Sequence, residues 1–155
     1  MTNRPTVPKP VPLSAPLYGA TFPVAVKRFW QKYATFSGRA SRSEYWWWAL
    51  VSGIVGAVLL AIYVPSLLAA RTPGQGLHLT TGIVVVLVVG GIWFLATVVP
   101  TLALLWRRLH DANLSGLFAL FGLIPTVGWL FVLLFTLLAS NPAGSRFDAR
   151  EPATR

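Results

Sequence analysis

The chain has 155 residues, 55% of them apolar and 11% charged, with a mean hydropathy of +0.64. A soluble domain carries about 25% charged residues, so this composition excludes one: much of the surface does not face water. Thirteen Lys and Arg against four Asp and Glu give a net charge of +9, and the lack of cysteine removes disulfides, thiolate nucleophiles and Cys-based zinc sites.

Residues 1–20 hold Pro5, Pro8, Pro10, Pro12 and Pro16. Prolines at this density favour extended chain, and the stretch is expected as a disordered tail. No continuous apolar core follows Arg4 or Lys9, so it is not read as a signal peptide. Thr21 can cap a helix whose first turn tolerates Pro23. Across 21–37, Phe22, Val26, Phe29, Trp30, Tyr33 and Phe36 fall on one arc, while Lys27, Arg28, Gln31 and Lys32 occupy the rest of the circumference. Such a helix lies in a bilayer interface, rings at headgroup depth and amines on phosphates; the competing reading packs it on the protein's own membrane helices.

Gly38 suits a break between helices. Ser41 followed three residues later by Glu44 is a capping box, starting a helix near Arg42. Tyr45, Trp46, Trp47 and Trp48 form an aromatic belt where that helix enters the bilayer. A membrane domain is expected over 38–140, its first span over about 45–68. Small residues recur along it at Gly53, Ala57 and Ala61, and beside them at Ser52 and Gly56, a pattern that lets a second helix approach closely. Arg71 to Thr81 reads as a loop. A second span is expected over 82–106, bent near Pro100 and ended by Arg107 and Arg108. The third apolar run, 117–138, is interrupted by Ile124-Pro125-Thr126-Val127-Gly128. It is expected as one span kinked or broken at Pro125, the alternative being a broken helix that enters and returns on the same side. Residues 141–155 form a polar tail. The fold class is all-α: three transmembrane helices preceded by an amphipathic interfacial helix.

Seven of the thirteen cations precede the first span, and Arg107 and Arg108 follow the second. The positive-inside rule places the N-terminus and the Arg107–Asp111 loop in the cytoplasm. Three full spans put the polar tail outside, which that rule disfavours because the tail holds Arg146, Arg150 and Arg155.

The run Gly38-Arg39-Ala40-Ser41-Arg42-Ser43-Glu44-Tyr45-Trp46, then Pro100-Thr101-Leu102-Ala103-Leu104, Arg107-Arg108-Leu109-His110-Asp111, Ser115-Gly116, and Ile124-Pro125 with Gly128 resembles the domain of unknown function 805 family. The resemblance covers about Phe22 to Pro152. It implies a small bacterial inner-membrane protein and no established activity. Two departures are Leu117, where the family has an aromatic residue, and Ser145-Arg146-Phe147-Asp148, where it has an Asn-Arg-Phe-Gly element.

The candidate site comprises Gly38, Arg39, Ser41, Arg42 and Glu44 before the first span, with Arg107, Arg108, His110, Asp111, Ser115 and Gly116 after the second. If the first two spans are antiparallel, both groups meet at one interface. Glu44 is then expected to pair with Arg107 or Arg108, and Asp111 with Arg39 or Arg42. One reading is a structural clamp on the helix ends. The other is a lipid-headgroup site, with the arginines around a phosphate and the aromatic belt against its chains. His110 beside Asp111 lacks a second His, Cys or acid nearby to build a metal or catalytic set, so no catalytic residue, metal or cofactor is expected. The expected partners are membrane lipids, anionic by charge, and a second copy or another membrane protein, without nucleic acid. The expected role is a non-enzymatic membrane interaction or anionic-lipid-associated protein; the alternative is a small-solute transporter or channel acting as an oligomer.

Overall fold

The computed structural model describes residues 11–71 and 79–148. Residues 1–10 of the expected tail, 72–78 of the expected loop and 149–155 of the polar tail lie outside the described residues. Four α-helices follow in chain order: α1 (Phe22–Gln31), α2 (Arg42–Ala69), α3 (Thr81–Asp111) and α4 (Gly128–Leu137). Short 3-10 helices occupy Gly116–Leu123 and Pro142–Phe147. The all-α class is the one expected.

Helix α2 starts where the capping box places it. The Glu44 amide donates to Ser41 Oγ at 3.2 Å, and the Ser41 amide donates to Glu44 Oε2 at 2.9 Å. At 1.5 Å per residue α2 and α3 measure about 42 and 46 Å, enough to cross about 30 Å of hydrocarbon. They run antiparallel: near one end Trp48 Nε1 donates to Thr101 Oγ1 at 3.1 Å, and near the other Thr80 Oγ1 donates to the Ser66 carbonyl at 3.3 Å. Away from the first of these ends the pair is bare. Leu60, Leu68, Ile92 and Leu95 are 58%, 66%, 64% and 70% exposed, which on helices this long requires hydrocarbon as the surrounding medium. The small-residue strip of α2 does not meet another described helix, because a Cβ added to Gly53 or Gly56 finds nothing within 4 Å.

Helix α1 packs on α2, as the competing reading has it, and its cations do not all lie on the outer face. Ala25, Arg28, Phe29 and Lys32 are buried, whereas Phe22, Trp30 and Tyr33 are exposed. The cationic arc is therefore split, with Arg28 and Lys32 turned inward, and the aromatic arc is shared. Phe29 stacks on Trp48 at 3.4 Å, and Trp48 stacks on Trp93 of α3 at 5.8 Å. Aromatic burial draws α1 to the spans.

Residues 11–20, expected within the disordered tail, form a strap with two turns over the start of α2. The amides of Leu17 and Ala20 donate to Glu44 Oε2 at 3.2 Å and Ser43 Oγ at 2.9 Å, and Trp47 Nε1 donates to the Ala20 carbonyl at 2.9 Å. Side chains from the first turns of α2 supply the partners that hold this proline-containing segment in place.

The third apolar run is broken, following the alternative path. Its 3-10 arm and α4 measure about 16 Å and 15 Å, each half of a bilayer core. Pro125 supplies no amide and biases Ile124 to the extended backbone it adopts. Thr126 then turns the chain at φ 65°. The arms approach so closely at the tip that a Cβ on Gly128 would lie 1.9 Å from the Phe121 carbonyl oxygen. Phe118 and Phe121 contact Phe135 between the arms, at 5.4 and 6.0 Å. The hairpin begins beside Asp111 and returns to it, for the Asn141 amide donates to the Asp111 carbonyl at 2.7 Å. The run thus forms a hairpin broken at Pro125, which follows the alternative path back to the end of α3.

Candidate functional site

Strap, α1, the start of α2, the end of α3 and both ends of the hairpin converge on one polar layer. Arg28, Lys32, Glu44, Arg107, Arg108 and Asp111 are all at most 5% exposed there. Burying this many charges is tolerated only where each finds partners, and the layer divides accordingly.

Glu44 forms the first centre. It pairs with Arg28 at 2.5 Å while also accepting the Ser41 and Leu17 amides. Arg28 in turn donates to the carbonyls of Val11, Pro12 and Ala15 in the strap. The expected pairing of Glu44 with Arg107 or Arg108 is corrected: α1 delivers a nearer guanidinium. That partner was legible only as the one α1 cation sharing a helical face with Ala25 and Phe29.

Asp111, fully buried, is the second centre. Oδ2 accepts from Arg108 Nη1 at 2.9 Å and from Ser140 Oγ; Oδ1 accepts from the Tyr18 hydroxyl at 2.8 Å and lies 4.0 Å from Arg39 Nη1. Asp111 thus meets Arg39, as one expected pairing held, but Arg108 is closer and Arg42 is elsewhere. Burial and then the Asp111 carboxylate raise the Tyr18 phenol above its usual range, which keeps it a donor.

Arg39 is held mainly by a carboxylate that sequence reasoning did not include. It chelates Asp148, Nε to Oδ1 at 2.9 Å and Nη2 to Oδ2 at 2.7 Å, and this bond raises the guanidinium pKa further. His110 Nδ1 lies 3.1 Å from the Gly38 carbonyl, and its ring stacks on Phe147 at 4.0 Å. Gly38 adopts φ 79°, open to glycine at little cost. These contacts tie the C-terminal 3-10 helix to the loop before α2.

The remaining arginines cap α4. Arg108 Nε donates to the Thr136 carbonyl at 3.1 Å and its Nη2 to Leu138; Arg42 Nε donates to Leu138 at 2.9 Å and its Nη2 to Leu137. A helix leaves its last carbonyls unpaired with a partial negative charge, and two guanidinium groups satisfy them here. Ser115 caps the other arm through the Leu117 amide at 3.3 Å, and Gly116 sits under Trp106, where a Cβ would lie 1.9 Å from the indole.

Two buried cations stay incompletely paired. Lys32 Nζ and Arg107 Nη2 have no hydrogen-bond partner among the described residues, although Arg107 Nε donates to the Ala103 carbonyl at 3.0 Å. Burial, and after it the charge of Arg107, lowers Lys32 to about 8. No group of three or more His, Asp or Glu able to hold a metal occurs among the described residues.

A family model described as "Protein of unknown function (DUF805)" matches residues 33–149. The chain belongs to this family. Inner membrane protein YhaI of Escherichia coli (strain K12) is 35% identical over 117 residues, 76% of this chain and 86% of YhaI. Inner membrane protein YhaH of the same strain is 36% identical over 117 residues, 76% of this chain and 87% of YhaH. No solved structure matches. With two long, lipid-exposed helices, this DUF805 chain is a membrane protein. The match begins at Tyr33, so the strap, Arg28 and Lys32 precede the matched residues.

Proposed function

We propose that this protein is a non-enzymatic, two-span protein of the bacterial cytoplasmic membrane that holds an anionic lipid against its re-entrant hairpin. The observation that carries this reading is an apolar groove of about 490 Å³ between α2, α3 and the hairpin, lined by Tyr45, Trp46, Leu102, Leu105, Leu123 and Trp129. Arg42 stands at its polar end, one helical turn before Trp46 on α2. It is exposed, and with Nε and Nη2 engaged on α4 its Nη1 retains donors for a phosphate. An acyl chain in the groove and a headgroup on Arg42 match both features. The clamp and lipid readings thereby divide between residues: Arg39 and Arg108 hold the layer together, and Arg42 faces outward.

Arg39, Arg42, Arg107 and Arg108 gather at one end of the α2–α3 pair, which orients that end to the cytoplasm by the positive-inside rule. The hairpin returns the chain to the same side, so the strap and the C-terminal 3-10 helix share it. A C-terminal reporter active only in the periplasm is expected to stay silent; activity would reject the two-span topology.

Lipid binding is tested by native mass spectrometry of the purified protein with phosphatidylglycerol or phosphatidylcholine. Phosphatidylglycerol is expected to be retained preferentially, with Arg42→Gln lowering retention about tenfold, the equivalent of ~1.4 kcal/mol. Because Arg42 also caps α4, Ala49→Trp serves as a second variant: Ala49 also lines the groove, and the indole fills it without touching the arginine. Undiminished retention in both variants sinks the proposal.

A further inference from the structure

A cavity of about 180 Å³, sharing no lining residue with the Arg42 groove, opens between the strap, the end of α1 and the loop before α2. Its rim consists of Leu13, Ser14, Gln31, Thr35 and Ser37, all exposed, and Lys32 lines it while being only 4% exposed. The cavity holds several water-sized groups by volume. Three hydroxyls and an amide on its rim provide hydrogen-bond donors around a buried ammonium.

Charge accounting sharpens what fits there. Lys32 faces Arg28 on its own helix, Glu44 of α2, Arg107 of α3 and Asp148 of the C-terminal segment. Glu44 is committed to Arg28 at 2.5 Å, and Asp148 to Arg39 at 2.7 Å. Lys32 Nζ and Arg107 Nη2 are thus left without a hydrogen-bonded counter-charge among the described residues. Positive charge buried in this way destabilises the fold unless an anion joins it or the ammonium loses its proton. The unfilled donors of Lys32 and Arg107, next to an open cavity, are what an anion would satisfy.

We propose that the cavity beside Lys32 is a binding site for a phosphate-type oxyanion, supplied by a lipid headgroup or by a soluble phosphate. Lys32 turns its buried ammonium to the anion for the direct contact, Arg107 adds positive field, and the rim hydroxyls of Ser14, Thr35 and Ser37 complete the shell. This site is separate from the Arg42 groove and does not depend on it.

The test is thermal unfolding of the full-length protein in a nonionic detergent, titrated with inorganic phosphate against sodium chloride at equal ionic strength. A parallel series, run in the Arg42→Gln background so that the groove's arginine is absent, uses short-chain phosphatidylglycerol against phosphatidylcholine. The expected result is a saturable rise in Tm of about 5 °C with one or both phosphate compounds over its control. Lys32→Gln abolishes the rise without lowering the phosphate-free Tm, since it removes an unpaired buried charge. Ser37→Trp, which obstructs the rim and leaves the cations in place, also abolishes it. A response to inorganic phosphate assigns the site to soluble phosphate, and a response to phosphatidylglycerol alone assigns it to a headgroup. Arg42→Gln leaves the increment intact, so failure of the groove reading and failure of this one are told apart. The proposal is overturned if neither compound exceeds its control, or if both variants keep the full increment.

Discussion

The two ends of the α2–α3 pair are built on opposite principles. Toward Ala69 and Thr81 the helices are bare: Leu60, Leu68 and Ile92 are exposed, and Gly53 and Gly56 meet nothing. Toward Arg42 and Asp111 the same helices vanish under strap, α1 and hairpin, around ion pairs with nearly no exposure. Lipid replaces a core over most of the first end, where hydropathy is the main constraint and the close approach of Gly82 to Ser66 is a local exception. At the second end the hydrophobic effect of surrounding lipid is of no use to a charge, and stability depends on specific partners. The chain concentrates its geometric specificity in one polar layer.

Removing a centre of that layer gives the sharpest contrast. Asp111→Asn retains size but leaves Arg108, fully buried, without its counter-charge, at a cost of about 3 kcal/mol or more. A loss of monodisperse protein on extraction, or a Tm lowered by several degrees, is expected. An unchanged melting curve would mean that the α4 carbonyls alone satisfy Arg108. Gly128→Ala tests the hairpin with a smaller perturbation. Its new methyl meets the Phe121 backbone at 1.9 Å, so the arms must part, costing about 1–3 kcal/mol in the same unfolding assay. Stability equal to the parent would show that the tip opens freely.

Much of the bare end was legible beforehand, because a long apolar run needs no partner to declare itself. The start of α2 was equally so, since Ser41 and Glu44 form a local device. Ile124-Pro125 marked the break in the third run, yet the path after it depended on which carbonyls Arg42 and Arg108 would cap, a tertiary fact without local spacing. The facing of α1 was misread for a related reason: amphipathicity assigns cations to water, but Glu44 lies where it draws Arg28 inward. Asp148 was overlooked in a segment that departs from the family pattern, and Tyr18 because proline density made its surroundings read as a tail. What was missed of the polar layer is long-range contact between charged or hydrogen-bonding groups.

The Lys32 environment predicts a pH dependence confined to the polar layer. The ammonium titrates at about 8 when folded and about 10.4 when unfolded. Between those values the unfolded chain binds more protons, so stability rises with pH through this window. In phosphate-free buffer the gain is about 1 kcal/mol from roughly pH 7.5 to 9. Tm measured across that range should climb in the parent and stay flat in Lys32→Gln. A parallel climb in the variant would place the titration on another group.

The smallest effect is expected at the bare end, where it carries the comparison's other half. Gly53→Ala adds a methyl to a helix surface with nothing within 4 Å. Alanine's better helix propensity then favours the fold by up to about 1 kcal/mol, with no packing cost to oppose it. The thermal midpoint of Gly53→Ala should match or slightly exceed that of the parent, whereas Gly128→Ala, chemically the same change, falls below it. The two glycines therefore contrast a helix surface left to lipid on α2 with a position enclosed by protein at the hairpin tip. A destabilised Gly53→Ala would mean that another helix covers this face in the purified particle, and that the bare end is bare only within a single chain.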